Sequence, residues 1–126
     1  MQNPFRYLLP VSYMAALFYV SSIPGDVMEV APGFRLLTPN WQNLLHVPVY
    51  GGLALSWWWA LETRLAEKNP RLIAAFTLTM MYGLVDESWQ LFIPGRYGSL
   101  TDLALNALGA AIALWVIARH STHHRA

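Results

Sequence analysis

The sequence predicts an all-α fold, an integral membrane bundle of four transmembrane helices, and its composition and charge pattern lead to that prediction. Hydrophobic residues make up 56% of the 126-residue chain and charged residues only 12%, about half of the roughly 25% that soluble domains carry. The mean hydropathy of +0.34 is on the apolar side, and long uncharged stretches separate the clustered charges. Buried helices of a soluble bundle are the alternative, but such helices should show a charged face, which these stretches lack.

Length and composition also limit the classes of function. We expect a single domain over residues 1–126. The high hydrophobicity excludes an intrinsically disordered chain. A net charge of +1 provides no basic face for nucleic acid. Because the chain has no cysteine, disulfide frameworks, thiolate metal sites and cysteine nucleophiles are excluded.

Four apolar stretches have the length of a membrane-spanning helix, which needs about 20 mostly apolar residues. In chain order they cover residues 7–23, 41–61, 72–93 and 101–118. The third is long enough only if Asp86 and Glu87 lie inside the membrane. A cleavable signal peptide is the alternative for the first, but it lacks a clear small-x-small cleavage site. We therefore expect it to be a retained helix.

Lysine and arginine are distributed unevenly between the two predicted sides of the membrane. Six lie in the N-terminus, the second loop and the C-terminal tail, and two lie in the first and third loops. Because cytoplasmic segments carry an excess of these residues, we expect both termini in the cytoplasm of a multi-pass protein of the cell inner (cytoplasmic) membrane. The longest loop, residues 24–40, contains Phe34, Leu36 and Leu37, which we expect to lie in the membrane interface.

Polar side chains concentrate at the predicted outer ends of the second, third and fourth spans. Such groups are costly in a membrane and usually face a cavity or a partner. Many of them are three or four positions apart and so share a helix face. The candidate ligand-binding residues are His46, Tyr50, Asp86, Glu87, Gln90, Arg96, Asp102 and Asn106. We expect them to face one pocket near the outer leaflet, with Gly83 and Gly109 allowing close helix approach.

These residue types permit several kinds of chemistry. Asp86, Glu87 and His46 are the catalytic candidates, because carboxylates and a histidine can perform general acid–base chemistry. Carboxylates with a histidine can also hold a divalent cation, although the sequence assigns no metal site and leaves the cofactor unknown. Arg96 can bind a phosphate or carboxylate in bidentate fashion. The structural alternative is a hydrogen-bonded network, with Arg96 as countercharge, that only holds three helices together.

Two smaller motifs have mainly structural interpretations. Ser99 or Thr101 is suited to cap the fourth span, whereas a serine nucleophile would need a general base and an elbow motif that is absent. The tail contains His120, His123 and His124. A disordered tail is the main interpretation of this cluster, and metal capture is the alternative.

The segment GLVDESWQLFIPGRYGSLTDLALNALG, residues 83–109, closely resembles the signature of VanZ-like membrane proteins. That signature is an acidic pair, Gln, Pro-x-Arg, and then Asp-x-x-x-Asn-x-x-Gly. His46 and Tyr50 resemble the family's His-x-x-x-Tyr element, and Ser-Ser-Ile-Pro at 21–24 is similar to the end of its first helix. Many members have an Asp-Lys pair just before the histidine element. Here Gln42 and Asn43 occupy that place, so a lysine role is not carried over.

The resemblance implies a small four-helix integral membrane protein. The founding member of the family is associated with low-level resistance to teicoplanin, a lipid-tailed glycopeptide antibiotic. An effect on glycopeptide susceptibility and a role in the cell envelope are therefore expectations from the resemblance. The family name supplies no mechanism.

Three functions are compatible with the sequence. The first is a binding module for a lipid headgroup, a lipid-linked envelope precursor or a lipoglycopeptide. The second is an intramembrane enzyme that modifies an envelope lipid by acid–base or metal-assisted chemistry. The third is a carrier or channel, which would require an oligomer. The lack of a nucleophile motif, phosphate loop or histidine metal box favours binding over catalysis but leaves enzymatic activity open.

Overall fold

The computed structural model describes residues 3–33 and 39–123, and within them it contains helices and no strand. A short 3₁₀ turn, Pro4–Tyr7, precedes six helices. The helices are α1 (Leu8–Ser21), α2 (Gly25–Val30), α3 (Pro39–Leu44), α4 (His46–Leu61), α5 (Lys68–Gln90) and α6 (Leu100–His123). The all-α prediction is therefore confirmed. Phe34, Leu36 and Leu37, predicted to lie in the membrane interface, are outside the described residues.

The second predicted span is divided into α3 and α4 by a turn at Leu45. Pro48 explains the division, because proline has no amide hydrogen to donate to Leu44 and its ring crowds that carbonyl group. Among the described residues, one stretch, Leu100–Ser121, is long and apolar enough to cross a membrane by length and composition. Crossing by the other three segments stays a prediction, since α1 and α4 have only 14 and 16 residues and α5 includes two buried acids.

Helix α4 packs against both α5 and α6, and its contact with α6 is the most extensive between any two helices. Small residues make this approach possible. A Cβ atom at Gly51 would lie 3.1 Å from the Gly109 carbonyl oxygen, and one at Gly109 would clash with the carbonyl oxygen of Val47. A Cβ at Gly83 would lie 3.3 Å from the side-chain nitrogen of Asn106. The predicted roles of Gly83 and Gly109 in close packing are confirmed.

The bundle has polar side chains inside and many apolar side chains outside. Thr79 and Asn106 are fully buried, whereas Tyr19, Ile73 and Met81 are 73%, 68% and 58% exposed. In a water-soluble helical protein the apolar face would turn toward the core. This chain instead leaves much of its apolar surface outside the helix bundle.

The two ends of the bundle differ in charge. At one end, Glu62 accepts from Arg6 at 2.8 Å and lies 3.5 Å from Arg71. The Lys68 ammonium donates to the Ala118 carbonyl oxygen, 2.6 Å away, so the end of α6 is at the same level. The opposite end contains the candidate residues, because α4 and α6 begin there and α5 ends there.

Candidate functional site

Local turns bring the ends of α5 and α6 against the first loop. Gly95 has a φ of +71°, which glycine adopts without strain, and the chain reverses there after Pro94. The Gly25 amide donates to the Pro94 carbonyl oxygen at 2.9 Å, so α2 packs against this turn. The Ser99 hydroxyl then accepts from the Asp102 amide at 3.0 Å. This N-cap confirms the structural interpretation of Ser99.

A cavity of about 470 Å³, here called the polar cavity, lies between these segments. The first loop, the end of α1 and the starts of α4 and α6 all contribute to its wall. Among its lining residues are Leu17, Val20, Ser21, Met28, Gln42, Asn43, Leu45, His46, Val49, Tyr50, Asp86, Gln90, Arg96, Tyr97, Ser99 and Asp102. The lining therefore combines apolar side chains with charged and amide groups.

A first group of side chains centres on His46. Its Nδ1 atom is 2.8 Å from the side-chain oxygen of Asn106, and since an amide oxygen only accepts, Nδ1 carries the hydrogen. The Nε2 atom lies 4.0 Å from the Asp102 carboxylate. One ligand atom each of His46, Glu87 and Asp102 lies within 4.8 Å of the others. Glu87 is fixed there by the Ser99 amide, which donates to its Oε2 atom at 3.1 Å.

A second group centres on the buried carboxylate of Asp86. Tyr50 and Gln90 donate to its Oδ2 atom at 3.3 and 3.1 Å. Tyr82, one helical turn earlier, lies 3.4 Å from Oδ1 and 3.0 Å from the Met14 carbonyl oxygen. The bond from Tyr50 joins α4 to α5, whereas Gln90 and Tyr82 belong to the same helix as Asp86. Both of its oxygens have partners.

Arg96 lines the polar cavity but does not neutralise its acids. Its guanidinium donates to the Val20 carbonyl oxygen at 3.0 Å, which ties the α5–α6 connection to the end of α1. Within the described parts of the chain, no ion pair joins Arg96 to a carboxylate. The countercharge role considered for it is therefore not seen, and the guanidinium has no acidic partner among the described residues.

The structure brings all eight candidate residues to one end of the bundle. His46, Tyr50, Asp86, Gln90, Arg96 and Asp102 line the polar cavity, and Glu87 and Asn106 contact residues that do. That they bind a ligand stays a prediction. Sequence reasoning missed Tyr82, although its spacing of four from Asp86 signals a shared helix face. It also missed the Ser99 amide, for which no sequence signal exists.

Several buried atoms at this end lack a hydrogen-bond partner among the described residues. They are Glu87 Oε1, Asp102 Oδ1, Asn106 Nδ2 and Arg96 Nε. An unsatisfied buried polar group costs about 1–3 kcal/mol of stability. Four such atoms would therefore strongly destabilise a network whose only role is to hold the helices together. The arrangement offers donors to an anion and acceptors to a hydroxyl, an amine or a cation.

A model of the family described as VanZ/LLP1 matches residues 3–120. Neither the curated proteins nor the solved structures contain a match to this chain.

Proposed function

The chain belongs to the VanZ/LLP1 family, and on that premise we propose that it is a small integral membrane protein whose polar cavity binds the headgroup of an envelope lipid or lipid-linked precursor. The unpaired buried atoms of Glu87, Arg96, Asp102 and Asn106 beside that cavity carry the proposal. A lipoglycopeptide such as teicoplanin, which joins polar groups to a lipid tail, fits the same description. An effect on teicoplanin susceptibility belongs to this proposal.

The apolar exterior supports placement in a membrane as four spans. Large hydrophobic side chains are exposed along α1, α5 and α6, for example Leu9, Val85 and Trp115. Lipid would cover this surface, whereas water would leave it unfavourably hydrated. The end of the bundle that carries Arg6, Lys68 and Arg71, here called the basic end, would face the cytoplasm by the positive-inside rule. The polar cavity would then open at the outer leaflet of the inner membrane.

The wall of the cavity matches a molecule that is polar at one end and apolar at the other. Leu17, Val20 and Val49 form apolar parts of the wall that would contact the first carbons of lipid chains. The guanidinium of Arg96 offers donors suited to phosphate oxygens. The carboxylates suit sugar hydroxyls or amines. Headgroup and chains can thus be recognised at the same place.

The binding proposal is tested by lipid retention. Native mass spectrometry of the purified protein should detect bound envelope lipid, and Arg96→Ala should lose it. Arg64→Ala is the matched control, because Arg64 lies at the opposite end, over the ring of Tyr7, and should retain the lipid. Equal retention by both variants, or no lipid with the parent, would contradict the proposal. Survival of cells exposed to teicoplanin should fall with Arg96→Ala and not with Arg64→Ala.

The orientation is tested separately, since the chain contains no cysteine. Val30 and Ala66 are both exposed, one in each of two loops predicted on opposite sides of the membrane. In intact cells an impermeant thiol reagent should label Val30→Cys and leave Ala66→Cys unlabelled. The reverse pattern would refute the proposed orientation.

The second candidate function is an enzyme that modifies the same class of lipid. The observation that favours it is the closeness of His46 to Glu87 and Asp102, because a histidine beside carboxylates can transfer protons. In this case His46→Gln should retain bound lipid yet stop formation of a headgroup-modified product in a membrane lipid extract. If the parent and His46→Gln both return only unmodified lipid, the enzyme hypothesis is wrong and the binding function is sufficient to explain the site.

A further inference from the structure

We propose that His46, Glu87 and Asp102 bind a divalent transition-metal ion at the edge of the polar cavity. The proposal rests on the ligand geometry and does not require that a lipid bind. One nitrogen and two carboxylate donors come from three different helical segments, and these donor atoms lie within 4.8 Å of one another. Binding would therefore also join α4, α5 and α6.

The donor atoms of the three side chains are somewhat farther apart than in an occupied metal site. In a tetrahedral site with bonds of about 2.1 Å, the donor atoms lie about 3.4 Å apart. A separation of 4.8 Å therefore has to shorten by roughly 1.4 Å. Rotations of the three side chains have to provide this change. The Nε2 atom of His46 is already 4.0 Å from the Asp102 carboxylate.

A second observation, independent of the clustering, indicates a cation. Glu87 is more than nine-tenths buried, and its Oε1 atom has no partner among the described residues. The Oδ1 atom of Asp102 is in the same situation. The carboxylates of Glu87 and Asp102 approach within 4.8 Å, and two carboxylates at that distance repel each other. A cation between the two carboxylates removes the repulsion.

The Nδ1 atom of His46 holds the imidazole in an orientation suited to metal coordination through Nε2. Metal-binding histidines almost always donate the second ring hydrogen to an oxygen, which fixes the tautomer and the orientation. Asn106 provides this oxygen at 2.8 Å from Nδ1. The Ser99 amide orients Glu87 in the same way. Mixed imidazole and carboxylate ligands favour Zn²⁺ or Mn²⁺ over Mg²⁺ and Ca²⁺, which prefer oxygen ligands alone.

The test is titration of the detergent-solubilised, chelator-treated protein with Zn²⁺ and with Mn²⁺ by calorimetry. The protein is purified without a histidine tag, and His120, His123 and His124 are replaced by Gln, so that the tail cannot bind the metal. We expect about one ion per chain and no measurable binding by Glu87→Gln or Asp102→Asn. Asn106→Ala should weaken the affinity by about 10- to 100-fold, as expected for loss of an outer-shell partner. Glu29→Gln, which changes an exposed acid of α2, is the control and should bind as the parent does.

Thermal unfolding distinguishes a metal site from a structural network. Without metal, Glu87→Gln should be at least as stable as the parent, because the amide oxygen can still accept from Ser99 and one of two repelling charges is gone. With metal, only the parent should gain stability. If the parent binds no ion in the absence of the tail histidines, or if Glu87→Gln binds as well as the parent, the proposal is wrong. Arg96 is not one of the proposed ligands, so Arg96→Ala should still bind the metal. The metal proposal and the lipid proposal can therefore fail independently of each other.

Discussion

Replacing Gly109 by alanine tests the close contact between α4 and α6 that positions the site. In an ordinary helix the change stabilises by about 1 kcal/mol. Here the new methyl group would clash with the Val47 carbonyl oxygen on α4. Because that oxygen belongs to the backbone, no side-chain rotation relieves the clash, and the helices have to separate. Overpacking costs about 1–3 kcal/mol. Because the clash is with backbone atoms, we expect the upper end of that range and a net loss of stability of about 2 kcal/mol.

Gly52 provides a matched control on α4. A Cβ atom there would lie 2.6 Å from the hydroxyl oxygen of Tyr13, the far end of a flexible side chain. Moving that hydroxyl sacrifices its hydrogen bond to the Val49 carbonyl oxygen, worth about 1 kcal/mol. The alanine preference of the helix is of similar size and opposite sign. We therefore expect Gly52→Ala to change stability little.

The assay is reversible unfolding in mixed micelles, followed by the fluorescence of the six tryptophans. A second readout is metal affinity, which should fall with Gly109→Ala because Val47 is next to His46 in the sequence and the separation moves His46 away from Asn106. If Gly109→Ala proved as stable as Gly52→Ala, the contact between α4 and α6 would not be as close as described. The explanation of how the site is positioned would then fail.

Two further predictions concern the acids outside the proposed metal site. Asp86→Ala removes the acceptor of Tyr50 and Gln90, while Tyr82 keeps the Met14 carbonyl oxygen, so the change should cost about 2 kcal/mol. Tyr50→Phe removes one of those bonds and should cost about 1 kcal/mol; equal losses in the same unfolding assay would contradict this assignment. At the basic end, the hydrogen bond from Arg6, and then the charge of Arg71, hold the pKa of Glu62 below its usual value. Because the folded-state pKa is depressed, the parent should exceed Glu62→Gln in stability at neutral pH by less than about 1 kcal/mol, since Glu62 is largely exposed. That advantage should disappear as the pH falls through the acidic range, and an advantage that persists there would refute the electrostatic explanation.

The convergence of the polar residues could be predicted because it depends only on helix periodicity and chain direction. Asp86 and Gln90 share one face of α5, and His46 and Tyr50 share one face of α4. Antiparallel neighbours bring such faces together at one end. The sequence could not predict how the residues divide into two groups, because that depends on side-chain rotations and on the backbone amide of Ser99.

Element boundaries were predicted less well, since the apolar stretches report where lipid is expected and not where hydrogen bonding stops. α6 continues past Ala118 to His123, because neither Arg119 nor His120 interrupts a helix. The turn at Leu45 divides a stretch of continuous hydropathy. Pro48 was visible in the sequence as the signal for that turn. Tyr82 was overlooked because tyrosine in an apolar span is usually interpreted as part of the packing surface.

The adjacent acids Asp86 and Glu87 have different surroundings, and this difference separates scaffold from site. Consecutive helical residues point in directions about 100° apart. Asp86 therefore meets the hydroxyl groups of Tyr50 and Tyr82 and the amide of Gln90, and both of its oxygens are satisfied. Glu87 turns toward α6, and within the described part of the chain it has one hydrogen-bond partner, the Ser99 amide.

A structural network alone would be expected to satisfy both acids, because leaving a buried carboxylate oxygen unpaired brings no gain in stability. Asp86 accepts hydrogen bonds from Tyr50 and Gln90, and the bond from Tyr50 holds α4 to α5. The chain leaves Glu87 and Asp102 incomplete beside a histidine that is already oriented by Asn106. Substitution at Asp86 should therefore damage folding first, whereas substitution at Glu87 should damage ligand binding and leave the folded protein intact.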